Sequence, residues 1–378
     1  TLNTSNSFEV PNRKIIATHF FGKGWAPDFW SYLNIHKVRT ELEAIKADGF
    51  NTVILVVPWT GFQISVDPLI YNQEYLDLFD KLLAKIKSHG LRVILRLGYA
   101  HDNGTKNIFP HNVRIIKLAK DRKTFSAWLK YLGKIWSIAS KYDNLLFGFI
   151  SWEDFFYLDL THLPLKQRLS LSSQIGYHEY LKKYSLDKIS KIYNKTFSSY
   201  SQIPIPGYNS KGISLFSEFW DDFLINTVFK ASKECFPRLS LEVRVDCDPE
   251  DNFSRYICHD RTFDLLPDTN LTVIYYSPTW GAPNKSDQAT AKEALERLKF
   301  MINYVRSHTD NIIFIDQFNF IDNTPIFKNN TTIAPTELPL FLEEVLPILK
   351  ESTIGYGLWT VRDIPANVLK AQTQPGKI

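Results

Sequence analysis

The sequence has little cysteine: Cys235, Cys247 and Cys258 are the three in a chain of 378 residues. None of them stands in a C-x-x-C pair or at the spacing of zinc ligands, which argues against a metal site built on thiolates. An odd number of cysteines provides no disulfide framework, although a Cys247–Cys258 bridge is possible. The cysteines leave the redox compartment open, and we expect no bound metal.

Long apolar runs and concentrations of one charge are also missing. No apolar stretch approaches the ~20 residues that a membrane-spanning helix needs, so we expect no membrane span. The formal net charge of +4 is spread without a basic stripe, which argues against nucleic acid as a partner. The chain begins with the polar segment Thr-Leu-Asn-Thr-Ser-Asn-Ser and not with Met. This start favours a secreted or extracytoplasmic protein whose signal peptide has been removed.

A complete Gly-x-Gly-x-x-Gly turn is missing after the first strand-like run, where Gly22-Lys23-Gly24-Trp25 supplies only a fragment. Its absence disfavours an open, doubly wound dinucleotide-binding sheet. Glycine is also missing from Phe318–Thr324, which argues against the phosphate-binding loop of a cofactor-dependent barrel such as an aldolase or a reductase. We therefore expect no cofactor.

Aromatic residues, by contrast, are abundant: 27 Phe, 18 Tyr and 9 Trp make up 14% of the chain. Flat aromatic faces stack on the C–H surfaces of sugars, so the surplus fits a protein that binds carbohydrate. Phenylalanine in the core accounts for most of it. The apolar share of 44% is ample for a substantial core.

Short β-branched runs bounded by turn residues alternate with helix-period segments along the chain. The strand-like runs are Lys14–His19, Thr52–Val57, Arg92–Leu97, Leu145–Ser151, Ser240–Asp246, Thr272–Tyr276, Ile312–Asp316 and Gly355–Thr360. The clearest helical segments are Lys37–Ala47, Tyr75–His89, Phe125–Ser140 and Thr290–Ser307. Repeated eight times, this alternation predicts parallel strands joined by crossover helices, an α/β fold that closes most naturally as a (β/α)8 TIM barrel.

One connection is too long for a single crossover. It runs from Phe155 to Arg238 and contains helical segments around Leu165–Tyr193 and Leu215–Glu234. No flexible Gly/Ser linker bounds it, so we expect residues 1–378 to form one barrel domain, with 155–238 as a helical insertion. Because the insertion follows the fourth strand directly, we expect it to form a wall or lid over the site.

The carboxyl ends of the strands carry the chemistry. The fourth strand leads into Trp152-Glu153-Asp154, the seventh into Asp316-Gln317 and the eighth into Trp359. Barrel enzymes act at this end because the loops there converge over the barrel mouth. Acids at the exits of two strands, with an aromatic nearby, are what hydrolysis of a sugar linkage requires.

Several segments carry a family resemblance. They are Gly49-Phe50-Asn51-Thr52-Val53 with Pro58-Trp59, His89-Gly90-Leu91-Arg92-Val93-Ile94-Leu95, and Gly355-Tyr356-Gly357-Leu358-Trp359. They resemble the second, third and eighth strand regions of the large clan of retaining glycoside hydrolases with (β/α)8 barrels, clan A-like, whose carboxylates sit on strands 4 and 7. The resemblance covers most of the chain except the insertion, and it identifies no individual family.

The resemblance implies that a strand-4 acid protonates the glycosidic oxygen while a strand-7 carboxylate attacks the anomeric carbon. The clan's fourth strand usually ends Asn-Glu, whereas this chain has Glu153-Asp154. Alignment of the Trp puts Asp154 on the acid position. Adjacent strand residues point to opposite faces, and we favour Glu153 because its longer side chain reaches a glycosidic oxygen more easily.

The seventh strand of the clan typically reads Ile-Thr-Glu-Phe-Gly, which places Gln317 on the nucleophile. A neutral amide cannot form a glycosyl ester, and three explanations are open. Gln317 is an engineered replacement of Glu made to trap substrate; or Asp316 is the working carboxylate through a local bulge, or another rim acid such as Asp246 serves; or the barrel binds glycan without cutting it.

Further rim residues are candidates for binding a sugar. They are Trp59, Arg96, His101, Trp152, Asp246, Tyr276, Trp280 and Trp359. Trp359 is the best candidate for stacking. Tyr276 either hydrogen-bonds the nucleophile position or simply packs, and Arg96 either binds an acidic sugar or forms a buried ion pair. We expect a retaining glycoside hydrolase that acts on a β-linked oligo- or polysaccharide; the alternative is a non-catalytic carbohydrate-binding TIM barrel.

Overall fold

The computed structural model of the chain describes most of the barrel and leaves several connections undescribed. The described residues are 10–22, 26–98, 117–151, 160–207, 210–243, 262, 265, 271–278, 288–319 and 332–360.

Ten β-strands and twelve α-helices are labelled here in chain order. The strands are β1 Ile15–His19, β2 Thr52–Val57, β3 Gln63–Val66, β4 Leu69–Tyr71, β5 Arg92–Leu97, β6 Leu145–Ile150, β7 Leu239–Val243, β8 Leu271–Tyr276, β9 Ile312–Phe318 and β10 Gly355–Leu358. The helices are α1 Phe29–Tyr32, α2 Val38–Ala47, α3 Trp59–Phe62, α4 Gln73–Ser88, α5 Arg122–Ala139, α6 Leu165–Gln174, α7 Tyr177–Leu181, α8 Leu186–Tyr193, α9 Ile213–Asp222, α10 Lys230–Cys235, α11 Ala291–His308 and α12 Leu338–Ser352.

A closed barrel of parallel strands forms the centre of the described structure. Its order is β1-β10-β9-β8-β7-β6-β5-β2, and each neighbouring pair is parallel. The third, fourth, fifth, sixth, seventh and eighth barrel strands are therefore β5 to β10. This closure confirms the predicted (β/α)8 barrel.

Two apolar layers follow from the alternation of side chains along the strands. Inside the barrel, a cluster fills the lower half; its members include Ile15, Ala17, Ile54, Ile94, Phe147, Phe149, Leu271, Val273 and Phe314. The alternate residues face outward and pack under the helices in a second, larger cluster. Because a plug of large side chains closes the lower half of the barrel, a ligand has room only at the carboxyl end of the strands.

Local sequence explains where the predicted helices begin. Asn72 caps α4 by accepting a hydrogen bond from the Tyr75 amide, and Asp121 caps α5 by accepting from the Lys123 and Thr124 amides. Thr290 and Glu293 form a capping box at the start of α11. Each of these helices buries the apolar face that its periodicity predicted.

The connection between β6 and β7 is helical where it is described. Helices α6, α7 and α8 cover the first predicted helical segment. In the second, α9 continues through a π-helical turn, Phe223–Phe229, into α10. Helix α10 packs on α5, where the Trp128 indole donates to Ser232. The role of the connection as a wall or lid stays a prediction.

A small antiparallel hairpin of β3 and β4 follows α3, and the sequence reading did not anticipate it. No described helix is long and apolar enough to cross a membrane.

Candidate active site

A layer of polar side chains lies above the apolar plug, on the same inward face of the strands. The pattern is regular, since each polar residue stands two positions after an interior residue of its strand. The pairs are Ala17 and His19 in β1, Ile94 and Arg96 in β5, Phe149 and Ser151 at the end of β6, and Phe314 and Asp316 in β9. Strand alternation therefore directs these side chains toward the barrel axis at its carboxyl end.

Arg96 is the centre of this layer. Its Nη2 donates a hydrogen bond to the Ser151 hydroxyl at 2.7 Å, and that hydroxyl donates to Glu242 Oε2 at 2.8 Å. The same Nη2 lies 3.4 Å from Glu242 Oε2, and Nη1 lies 3.9 Å from Asp316 Oδ2. The side chains of Arg96 and Asp316 are 0% exposed, so the charges interact with little screening by water.

The seventh barrel strand contains a bulge at the predicted nucleophile. In the pairing of β8 with β9, Ile274 pairs with Ile315 but Tyr275 pairs with Gln317, so Asp316 is an extra residue. Beyond the bulge, Phe318 stacks on Tyr276 and on Phe341 of α12, which places it on the outer face.

The bulge decides which strand-7 side chains face inward. Asp316 faces inward because it approaches Arg96. Gln317 precedes the outward Phe318, so alternation turns Gln317 inward as well. The structure thus brings both candidates of the sequence, Asp316 and Gln317, to the inner face.

Gly357 gives the bulge its room. A Cβ at this position would meet the Asp316 carbonyl oxygen at 2.8 Å and the Ile54 side chain at 2.6 Å, so a larger residue does not fit. Contact with Ile54 also shows that Gly357 faces the barrel interior. Trp359 stands two residues later, and its ring lies 5.6 Å from the Arg96 guanidinium carbon and 4.8 Å from the His19 ring. Trp359 therefore forms one side of the polar layer.

His19 is buried on the same side. Its Nδ1 lies 3.1 Å from the Leu358 carbonyl oxygen, and since a carbonyl only accepts, Nδ1 carries the proton. Burial, with the positive charge of Arg96 as a second cause, holds the pKa of His19 well below its usual range, while the bond to Leu358 opposes this shift. The imidazole is therefore neutral at neutral pH.

Two predicted sugar-binding residues lie in the packing between barrel and helices. Trp59 is 3% exposed; it donates to the Gln63 side chain at 2.7 Å and packs edge-on against Trp128. The Tyr276 hydroxyl donates to the Ala294 carbonyl of α11 at 2.8 Å, and burial raises the pKa of that hydroxyl. Tyr276 thus takes the packing role that the sequence left open, not a hydrogen bond to strand 7, and Trp59 offers no open face for a sugar.

Other predicted site residues lie outside the described part of the chain. They are His101, Trp152, Glu153, Asp154, Asp246 and Trp280. Of the predicted set, the structure brings together Arg96, Asp316, Gln317 and Trp359. Arg96 takes the buried ion-pair role, with Glu242 and Asp316 as its described partners.

Glu242 and Ser151 are the site residues that the sequence reading missed. The signal was present, because Glu242 is a charged residue between apolar neighbours in a buried strand, on the phase opposite to Leu241 and Val243. Asp246, at the end of the predicted strand Ser240–Asp246, was singled out instead. Polar residues at inward-facing positions within a strand, and not only those at strand ends, are therefore candidates for the site, and Glu242 is one of them.

Replacing Arg96 by Met is expected to destabilise the fold by about 3–5 kcal/mol, because two buried carboxylates lose their counter-charge. Urea unfolding followed by circular dichroism measures this change. The matched control is Arg39→Met, which removes an ion pair with Glu43 whose side chains are 73% and 51% exposed, and is expected to lower stability far less than Arg96→Met does. Equal effects of the two variants would contradict a buried charge cluster.

Comparisons with known proteins agree on the fold. No protein-family model matches the sequence, and no curated protein matches it either. Among solved structures, an exo-β-1,4-mannosidase from Opitutaceae bacterium strain TAV5 matches with a TM-score of 0.58 and 15% identity over 99% of this chain. This chain spans 58% of the length of that mannosidase.

Two further solved structures match over 94% of this chain. An endo-1,4-β-mannanase from Rhizomucor miehei has a TM-score of 0.53 and 10% identity, with 89% of its own chain covered. The Streptomyces cattleya protein GH5_18, solved in complex with Manb1-4GlcNAc, has a TM-score of 0.56 and 12% identity, with 73% of its chain covered. At these identities the likeness concerns the fold. The chain therefore has the (β/α)8-barrel fold of the clan A glycoside hydrolases.

Proposed function

We propose that this protein is a β-glycoside hydrolase that retains the anomeric configuration, with Asp316 as nucleophile and Glu153 as acid/base. The observation that carries the proposal is the inward-facing carboxylate of Asp316, placed by the bulge in β9 beside Arg96. A carboxylate on the seventh strand of a closed barrel is what the chemistry needs there. The bulge also supports Asp316, and not the neutral Gln317, as the nucleophile.

Arg96 supports a charged form of Asp316. A guanidinium remains protonated at all relevant pH values, and a positive charge beside a carboxylate favours its ionised form. Glu242 and Ser151 hold the other side of the guanidinium, which fixes its orientation. A nucleophile must be ionised before substrate arrives, so this setting suits Asp316 to that role.

Glu153 is proposed as the acid from its position in the sequence. It stands two residues after Ser151, the last inward residue described at the end of β6. Residues two apart in a strand share a face, so the spacing from Ser151 favours Glu153 over Asp154 as the acid.

The reaction follows in two displacements. In the first, an Asp316 oxygen attacks the anomeric carbon while Glu153 gives its proton to the glycosidic oxygen, so the C–O bond to the leaving sugar breaks and a glycosyl ester forms. In the second, Glu153 takes a proton from water as the water oxygen attacks the same carbon and releases Asp316. Two inversions give net retention, which requires carboxyls about 5–5.5 Å apart.

The substrate class is proposed from the site and its fold neighbours together. Trp359 presents an aromatic side to the polar layer, which suits stacking on a sugar ring. The similar structures include an exo-β-1,4-mannosidase and an endo-1,4-β-mannanase. We propose a β-linked oligo- or polysaccharide containing mannose.

A second candidate function is carbohydrate binding without cleavage, and one observation favours it. Gln317 is neutral at the position where the clan carries its nucleophile. In this case Asp316 and Glu242 serve only to balance the charge of Arg96.

A Gln317→Glu variant separates these functions. If Asp316 is the nucleophile, a second carboxylate beside it raises the pKa of Asp316. As a result kcat falls at acidic pH, and the acidic limb of the pH profile moves to higher pH. The measurement is release of reducing sugar from β-mannan, β-glucan and their oligosaccharides by the present chain and the variant. Gln317→Leu is the control, since it changes the side chain without adding charge and should leave the acidic limb in place.

Two outcomes would overturn this assignment. An inactive present chain with a highly active Gln317→Glu variant would put the nucleophile position at 317. Glycan binding by both proteins, with cleavage by neither, would make the barrel a binding protein.

A further inference from the structure

The His19 imidazole has one hydrogen-bonding atom that the fold does not use. Nδ1 donates to the Leu358 carbonyl, whereas Nε2 is buried and has no hydrogen-bond partner among the described residues. The residue is 0% exposed. A buried acceptor without a partner costs free energy, so its retention in a folded protein points to a partner that arrives with a ligand.

The position of this atom tells what the partner touches. His19 is inward-facing at the end of β1, its ring lies 4.8 Å from the Trp359 ring, and Arg96 is close enough to influence its charge. The Leu358 carbonyl holds the opposite edge of the imidazole, so Nε2 is directed away from the β10 backbone. A hydrogen-bond donor that reaches the end of β1 beside Trp359 would find an acceptor at Nε2.

Resting on the proposed function, we infer that His19 is a specificity-determining residue whose Nε2 accepts a hydrogen bond from a hydroxyl of an uncharged sugar seated against Trp359. The fixed tautomer makes Nε2 an acceptor and not a donor. A hydroxyl donates to such an atom, whereas a sugar carboxylate only accepts.

The surrounding charges favour the same class of sugar. Arg96 is the cation of the layer, and Glu242 and Asp316 already share it. A uronic acid at this position would bring a third carboxylate to the same guanidinium and would meet the lone pair of Nε2. The arrangement therefore selects a neutral sugar hydroxyl against a carboxylate.

Two substitutions of His19 test its two ring nitrogens separately. Asn places an amide near the position of Nδ1, so His19→Asn keeps a donor for the Leu358 carbonyl and loses the acceptor. Gln places its amide near the position of Nε2, so His19→Gln keeps the acceptor and loses the bond to Leu358. A role in folding alone depends on the Nδ1 bond, and sugar recognition depends on Nε2.

The probes are methyl β-mannoside and methyl β-glucoside, their monodeoxy and monodeoxyfluoro analogues, and methyl β-glucuronide. Calorimetry measures their binding to the unaltered chain and to both His19 variants, after thermal unfolding has shown that the variants fold. For one ring position, the unaltered chain is expected to bind the deoxy and the deoxyfluoro analogue about 10-fold more weakly than the parent sugar. The deoxyfluoro analogue loses as much affinity as the deoxy analogue because fluorine cannot donate a hydrogen bond.

His19→Asn is expected to bind the parent sugar about 10-fold more weakly than the unaltered chain does, and to bind the parent sugar and the deoxy analogue equally well. His19→Gln is expected to keep most of the discrimination. The inference is overturned if His19→Asn discriminates like the unaltered chain, if the fluoro analogue binds like the parent, or if the glucuronide binds best. Failure of the unaltered chain to bind any of these sugars would instead remove the proposed function itself.

Discussion

Asp316→Asn is expected to reduce the rate of glycoside hydrolysis by a factor on the order of 10⁴ or more, the largest effect among single substitutions in the described barrel. An amide has the shape of the carboxylate, but it cannot form the glycosyl ester. Since Asp316 is buried beside Arg96, the substitution also leaves the guanidinium with Glu242 as its described carboxylate partner. The measurement is kcat/KM on β-linked manno- and gluco-oligosaccharides.

Loss of charge near Arg96 also affects the fold, so a second variant tests the chemistry itself. Asp316→Gly removes the nucleophile and leaves space in its place. Azide added to this variant is expected to attack the anomeric carbon of a β-glycoside with a good leaving group from the vacated side. One inversion then gives an α-glycosyl azide, which proton NMR identifies.

The matched control for Asp316→Asn is Glu242→Gln. Both substitutions remove one carboxylate from the same guanidinium, but Glu242 is proposed to orient Arg96 and not to react. Azide should therefore not increase the activity of Glu242→Gln, and kcat should fall much less in this variant than in Asp316→Asn. Equal losses in the two variants, with no azide product from Asp316→Gly, would show that the cluster is structural.

The barrel was predictable because its signals repeat. Most barrel strands combine β-branched residues with turn residues at their ends, and β2 and β5 have the predicted bounds, Thr52–Val57 and Arg92–Leu97. Helices α4 and α5 carry caps and apolar faces that sequence alone displays. Both kinds of signal are local, and the eightfold alternation leaves few ways to close the sheet.

The site was less predictable because it depends on contacts between distant strands. The bulge at Asp316 arises from a register shift between β8 and β9, and neither strand alone reveals where the shift falls. Room for it comes from Gly357 on a third strand. The sequence reading kept a bulge as one explanation for Gln317, but only the pairing shows that Asp316 is the extra residue.

The partner of Arg96 illustrates the same limit. The sequence predicted a buried ion pair as one of two roles for Arg96 and did not single out Glu242 as its partner. The structure pairs it with Glu242 and Asp316, which lie within strands. The barrel as a whole determines which side chains face its axis. This orientation decides the partners of Arg96, and nearness to a strand end does not.

Glu153→Gln is expected to reduce hydrolysis of oligosaccharides by roughly 10²–10⁴-fold, because the amide has no proton to give to a poor leaving group. Binding of the same oligosaccharides should change little, since Gln keeps the shape of Glu. A dinitrophenyl glycoside, whose leaving group needs no proton, should still form the glycosyl ester at a rate close to that of the unaltered chain. Stopped-flow release of dinitrophenol measures this step.

Asp154→Asn is the matched control, because Asp154 is the neighbouring acid in the sequence and adjacent residues of a strand point to opposite faces. It should hydrolyse oligosaccharides at close to the original rate. Azide sharpens the comparison: with Glu153→Ala it should trap the glycosyl ester by a second inversion and give a β-glycosyl azide, the opposite anomer to that from Asp316→Gly. If Asp154→Asn, and not Glu153→Gln, lost activity on oligosaccharides but kept it on the dinitrophenyl glycoside, Asp154 would be the acid/base and the assignment of Glu153 would be wrong.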